Sequence, residues 1–129
     1  MSMKKVISVV LALLFLVAGL AFAGQKEKIA VVAEGKTLEA KVSGQPGRSP
    51  FILFFDEKGK LIEAIANPAK DAPSSGIAVT DFLAGKGVTV AVAGEYGPQI
   101  VDVMKNKGIK AVAFKGSVEE AVKKVLKSN

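Results

Sequence analysis

The sequence predicts an α/β sandwich built around a mixed sheet, and two observations predict it. From Ile29 to Ala66, four short apolar or alternating runs are separated by turn residues, the pattern of successive hairpins. From Gly76 onward, segments of helical periodicity alternate with apolar runs, the pattern of parallel strands joined by right-handed crossovers. The element order is ββββ followed by αβαβα.

Ile29-Ala30-Val31-Val32-Ala33 is short and wholly apolar, as a strand covered on both faces requires. Glu34-Gly35-Lys36 is a turn. Thr37–Ser43 then alternates, with Leu38, Ala40 and Val42 on one face and Thr37, Glu39, Lys41 and Ser43 on the other. That spacing predicts a half-exposed strand in a hairpin with the first. A loop rich in Gly and Pro, Gly44–Pro50, leads into Phe51–Phe55, which is too short for a typical helix and rich in aromatics, hence a buried strand. Asp56–Lys60 turns the chain and Leu61–Ala66 closes a second hairpin. Asn67-Pro68 ends that strand, because the residue before proline is pushed away from helical geometry. Asn67–Ser75 carries two prolines and small polar residues, and is predicted to be a mobile crossover able to act as a lid.

Gly76–Ala84 reads as a short helix with Ile77, Phe82 and Leu83 inward, stopped by Gly85-Lys86-Gly87. Val88–Ala93 is an apolar strand. Gly94-Glu95-Tyr96-Gly97-Pro98 turns into a helix that begins near Pro98, where proline is tolerated. Ile100, Val101, Val103 and Met104 form its apolar face and Gly108 ends it. Ile109–Phe114 is another strand. Ser117 with Glu120 forms a capping box for a last helix, whose stripe is Val118, Ala121, Val122, Val125 and Leu126.

Composition removes whole classes of chemistry. The chain has 129 residues and neither Cys nor His, so it has no disulfide, no thiolate or imidazole metal ligand, and no serine–histidine or cysteine–histidine catalysis. Residues 1–23 read as a signal peptide: Lys4 and Lys5, an apolar stretch from Val6 to Leu20, then Ala21-Phe22-Ala23 as a cleavage pattern. Cleavage after Ala23 leaves 24–129 as a single domain, periplasmic or secreted. The alternative is an uncleaved anchor, since Val6–Ala23 is just long enough to span a membrane. Removing Lys4 and Lys5 takes the formal charge from +6 to +4, which suits anionic ligands and equally suits solubility. Scattered basic residues, few aromatics and no Trp speak against nucleic acid.

The ordered segments resemble the dinitrogenase iron–molybdenum cofactor biosynthesis family, to which small nitrogenase accessory factors belong. The resemblance runs from about Lys28 to Leu126. It rests on Lys28-Ile29-Ala30-Val31, on Gly47-Arg48-Ser49-Pro50-Phe51 ending at Asp56, on Asn67-Pro68 and on Gly76-Ile77. Gly87-Val88, Gly94 with Gly97-Pro98, Gly108-Ile109 and Ser117-Val118-Glu119-Glu120-Ala121 complete it. It implies a ribonuclease H-like three-layer sandwich with a mixed five-stranded sheet flanked by helices. It also implies binding or carrying of molybdenum- or iron-containing sulfide clusters, without catalysis. Several members hold an iron–sulfur species through Cys or His. This chain would hold a cluster by charge and backbone amides, with Met104 as a weak thioether candidate that fits the core stripe better.

Arg48 is the leading candidate, a guanidinium in a stiffened loop at the mouth of a strand, able to donate several hydrogen bonds to sulfido or oxo groups. The other reading makes it a structural arginine. Ser49 offers a hydroxyl donor or a loop cap. Gly94, Tyr96 and Gly97 lie after a parallel strand and before a helix, where ligands of open α/β sheets gather. Ser75 and Gly76 open the other helix as a second donor rim. Asp56 and Asp81 belong to no converging set of carboxylates such as two-metal chemistry needs. The expectation is an exported, non-enzymatic carrier of an anionic metal–sulfur cluster or oxyanion. The alternative is a protein–protein interaction module that kept the fold and lost the cluster.

Overall fold

The computed structural model describes residues 26–128; the signal-peptide reading of residues 1–23 lies outside them. The elements are β1 (Ile29–Ala33), β2 (Phe51–Phe55), β3 (Leu61–Ala66), α1 (Ser75–Gly85), β4 (Val90–Ala93), α2 (Pro98–Asn106), β5 (Lys110–Ala113) and α3 (Val118–Lys127). The strands form one sheet in the order β3-β2-β1-β4-β5. β1 pairs antiparallel with β2 and parallel with β4; β2–β3 is antiparallel and β4–β5 parallel. This mixed five-stranded sheet with three helices is the α/β architecture expected, and its layers are compatible with the ribonuclease H-like name.

The apolar run of β1 is explained by its position. Partners on both edges and helices on both faces leave all five residues buried. Alternation splits the core into two layers. Ile29, Val31, Leu53, Phe55 and Val92 pack with Val118, Ala121, Val122 and Val125 of α3. Ala30, Val32, Ile52, Phe54 and Ala91 pack with Val79 and Leu83 of α1 and Met104 of α2. Met104 is therefore core. Among the described residues no helix is long and apolar enough to cross a membrane.

Thr37–Ser43 is not a strand of the sheet, contrary to its alternation. Both edges of β1 are taken, so the segment has no ladder to join and makes only isolated bridges, Val42 to Ala33 and Lys41 to Ser117. It lies instead across the ends of β1 and β4: Ser43 N donates to Val32 O, and Gly94 N to Ser43 O. Two inward assignments also change. Ile77 is 40% exposed, because Val79 and Leu83 define the inward row of α1 and Ile77 lies about 200° round the helix from Val79. Val101 is 39% exposed, Met104 being the buried anchor of α2.

The Asn67–Ser75 stretch is pinned at its start rather than hinged like a lid. Buried Asn67 donates from Nδ2 to Gly47 O, Ser49 O and Ser49 Oγ, and its Oδ1 accepts from Ala69 N. Arg48 Nη1 reaches Lys70 O at 2.8 Å.

Candidate functional site

Strand directions decide what lies together. β1, β4 and β5 are parallel, and the register sets Phe51 and Ala66 beside Ala33. The carboxyl ends of β1, β3, β4 and β5 and the start of β2 therefore share one end of the sheet. The proposed binding residues Arg48, Ser49, Ser75, Gly76, Gly94, Tyr96 and Gly97 all belong to segments at that end. Asp56 does not: it closes the turn at the opposite end, its Oδ1 accepting from Lys58 N and Lys60 N. Those amides hold its carboxyl below the usual range, the Lys60 bond most of all.

The Gly44–Pro50 loop crosses this end and has two close approaches. At one, Gly47 backs onto the first turn of α1 so closely that a Cβ would stand 2.4 Å from Ser75 C and 2.5 Å from Gly76 N. Only glycine fits there without moving backbone. At the other, a Cβ on Gly94 would meet Gly44 Cα at 3.0 Å and Ser43 O at 3.3 Å. The loop thus ties α1 to the turn after β4.

Arg48, immediately after the Gly47 contact, is exposed and donates one hydrogen bond, to Lys70 O. The rest of its guanidinium meets no protein acceptor among the described residues. Beside its loop, the N–H groups of Ser75, Gly76 and Ile77 also meet no acceptor there, and Ser74 supplies no side-chain cap. The first turn of α1 thus keeps its donors and the positive end of its dipole. α3 differs: its first amides go to Ala40 O, Leu38 O and Ser117 Oγ.

Three candidates are placed differently from the donor surface expected of them. Ser49 is 1% exposed; its hydroxyl donates to Pro46 O and accepts from Asn67, so it serves the loop. Gly94 is buried and its amide is held by Ser43 O at 2.7 Å. Tyr96 turns inward, its hydroxyl donating to Ala91 O at 2.7 Å, and burial pushes its phenol well above the usual value. Gly97 is exposed and precedes Pro98 as the cap of α2.

A crevice of about 400 Å³ opens between the ends of β1 and β4, lined by Glu34, Lys41, Val42, Gly44, Gly94, Glu95 and Lys115. The connection from β1 turns to one side of the sheet and the strand order continues to β4 on the other, so this is its topological switch point, where ligands of such sheets bind. Lys115 Nζ lies 3.3 Å from Glu95 Oε1, a pair exposed enough to exchange readily for another anion. Lys41 and Lys115 carried no sequence signal, being single lysines far apart in the chain. Only the position of Lys115 just beyond a parallel strand hinted at a role.

Known proteins share this architecture. The apo form of the orange protein from Desulfovibrio gigas superposes with a TM-score of 0.71 at 28% identity, over 79% of this chain and 88% of that one. A NifB-like protein from Thermotoga, solved by NMR, gives 0.65 at 29% identity over 78% of this chain and 88% of its own. No curated protein sequence matches. The family model described as dinitrogenase iron-molybdenum cofactor matches residues 27–128, and the chain belongs to that family.

Proposed function

We propose that this protein is an exported, non-enzymatic carrier of an anionic metal–sulfur cluster, or of a related oxyanion, bound at the carboxyl end of the parallel strands. Family membership makes a cofactor-related carrier or biosynthesis-associated protein the coarse reading. The observation that supports the finer one is a shared placement at one end of the sheet. The Arg48 guanidinium, the first-turn amides of α1 that meet no acceptor among the described residues, and Lys41 and Lys115 in the crevice all belong to segments at that end, on or beside the Gly44–Pro50 loop.

The chemistry of these donors defines the cargo. They are guanidinium, ammonium and amide groups, beside the carboxylates of Glu34 and Glu95 in the crevice, in a chain without thiolate or imidazole. Among the described residues, no group of three His, Cys, Asp or Glu could hold a bare metal ion. Such a set suits an anion whose metals are already saturated by their own sulfide or oxide ligands. It does not suit a cluster that needs ligation by protein side chains. Recognition by charge at an exposed surface also makes binding salt-dependent. The sequence of residues 1–23 supports export, and a mature N-terminus at Gly24 in the periplasmic or secreted fraction, read by mass spectrometry, tests it.

The deciding experiment is equilibrium dialysis of tetrathiomolybdate and molybdate against the purified domain, with elemental analysis of protein taken from its native compartment. Binding that weakens with salt and in Arg48→Ala, at unchanged thermal stability, supports the carrier. Failure of both anions to bind, with metal-free native protein, overturns it. The absence of Cys and His would then favour a protein–protein interaction module that kept the fold.

A further inference from the structure

The outer edge of β5 pairs with nothing, β4 being its single neighbour among the described residues. Lys110 N donates to Thr89 O and Phe114 N to Ala93 O, so even-numbered residues turn their polar groups to β4. In a parallel ladder the N–H and C=O of one residue point the same way and successive residues alternate. Ala111 and Ala113 therefore present their amides and carbonyls outward, beside side chains no larger than methyl.

A cleft opens on each face of this edge. One, about 260 Å³, lies against α3 and includes Val112, Lys124 and Val125. The other, about 420 Å³, lies against α2 and includes Val101, Lys105 and Ile109. Lys110 and Ala111 line both. The charged residues of the two clefts are all lysines, with no carboxylate among them. Lys105 and Lys110 form no ion pair among the described residues, and Lys124 lies over the Phe114 ring.

We propose that the β5 edge is a docking strip for an extended acidic segment of a partner protein, which adds as a further strand beside β5. Main-chain bonds to Ala111 and Ala113 hold it, its alternate side chains enter the two clefts, and its carboxylates meet Lys105, Lys110 and Lys124. A second copy of this chain fits less well, because it would bring its own three lysines to the same seam. The inference does not rest on the anion site.

The test is fluorescence anisotropy with a short labelled peptide of Glu-Glu-Val-Val repeats, which sets carboxylates on both faces of the added strand, against its Lys-Lys-Val-Val counterpart. The acidic peptide should bind at least ~10-fold more tightly. Ala111→Pro removes an outward N–H and leaves the bonds to β4 intact, since proline is tolerated on a strand edge whose N–H faces solvent. It should weaken acidic-peptide binding by roughly tenfold or more at unchanged melting temperature. Should that variant fold poorly, the surface double reversal Lys105→Glu with Lys110→Glu decides, and should invert the preference between the peptides. Equal affinity for both peptides, full binding by folded Ala111→Pro, or no inversion in the charge reversal would overturn the proposal. So would sedimentation showing that the wild-type chain self-associates through this edge.

Discussion

Gly47→Ala probes the contact on which the seating of Arg48 depends. The added Cβ would stand 2.4 Å from Ser75 C, 2.5 Å from Gly76 N and 2.5 Å from Ser75 Oγ. Comfortable carbon contacts lie at about 3.5–4.0 Å, so loop and helix must part by roughly 1 Å. Two of the three atoms are backbone in the first turn of α1, and no rotamer change moves them out of the way. Overpacking costs about 1–3 kcal/mol in general, and with backbone on the far side we expect the upper end, about 3 kcal/mol. At about 4 °C per kcal/mol for a domain of this size, the melting temperature followed by circular dichroism should fall by roughly 12 °C. Gly44→Ala is the control. Its Cβ would meet nothing within 4 Å, and its φ is not left-handed. Losing the glycine's freedom in the unfolded chain should leave that variant unchanged or up to about 1 kcal/mol more stable. An unchanged melting temperature in Gly47→Ala, or equal losses in both variants, would refute the close approach. The displaced loop carries Arg48, so tetrathiomolybdate binding should weaken alongside stability.

Three further outcomes can be measured. Asn67→Ala leaves the buried carbonyls it caps without their donor, and should cost about 2–3 kcal/mol, seen as a lower urea midpoint at unchanged slope. Ser117→Ala removes the cap of α3 and should cost about 1 kcal/mol at neutral pH. It should also flatten part of the acid dependence. The backbone N–H of Ser117, then its hydroxyl, hold the Glu120 carboxyl below its ordinary 4.5, so that carboxylate stabilises the fold above 4.5 and the contribution disappears as pH falls through the lowered folded value. Urea titrations at neutral pH and in acid compare the two proteins. Tyr96 is the one tyrosine in a chain without Trp, so phenolate absorbance reports it alone. Its raised folded pKa means the contribution is full below the ordinary value of 10 and is lost as pH rises, so phenolate should appear together with unfolding; a phenol titrating near 10 in folded protein would contradict its burial.

The sequence made most elements legible because their positions impose strong patterns. β1 and β2 are covered on both faces and read as unbroken apolar runs, while Ser117 and Glu120 mark the start of α3 by chemistry confined to one turn. Thr37–Ser43 misled because alternation shows which side chains face inward and says nothing about whether a neighbouring strand edge is free. The site was legible as a set of loops and not as a set of donors. Ser49 and Gly94 look alike in sequence to Arg48 and Gly76, yet their polar groups are taken by Asn67, Pro46 and Ser43 through contacts between distant residues. Lys41 and Lys115 acquire meaning only from sheet topology, which brings two separate loops to one crevice.

The irregular segment before Gly44 also governs the timing of folding. Leu38 O and Ala40 O accept the amides of Glu119 and Val118, and Val42 N donates to Gly116 O. Residues close to the first strand are thus completed by residues that open the last helix, and β1 itself needs β4. Contacts of such long sequence separation require most of the chain to be gathered before they stabilise anything, which slows folding. A chain emerging amino end first can pair β1 with β2 and β2 with β3 early, but the β1–β4 seam waits for Val90–Ala93, and the carbonyls of Leu38 and Ala40 wait for Glu119 and Val118. The amino-terminal hairpins are thus sealed into the sheet late, by strands and a helix from the carboxyl half of the chain.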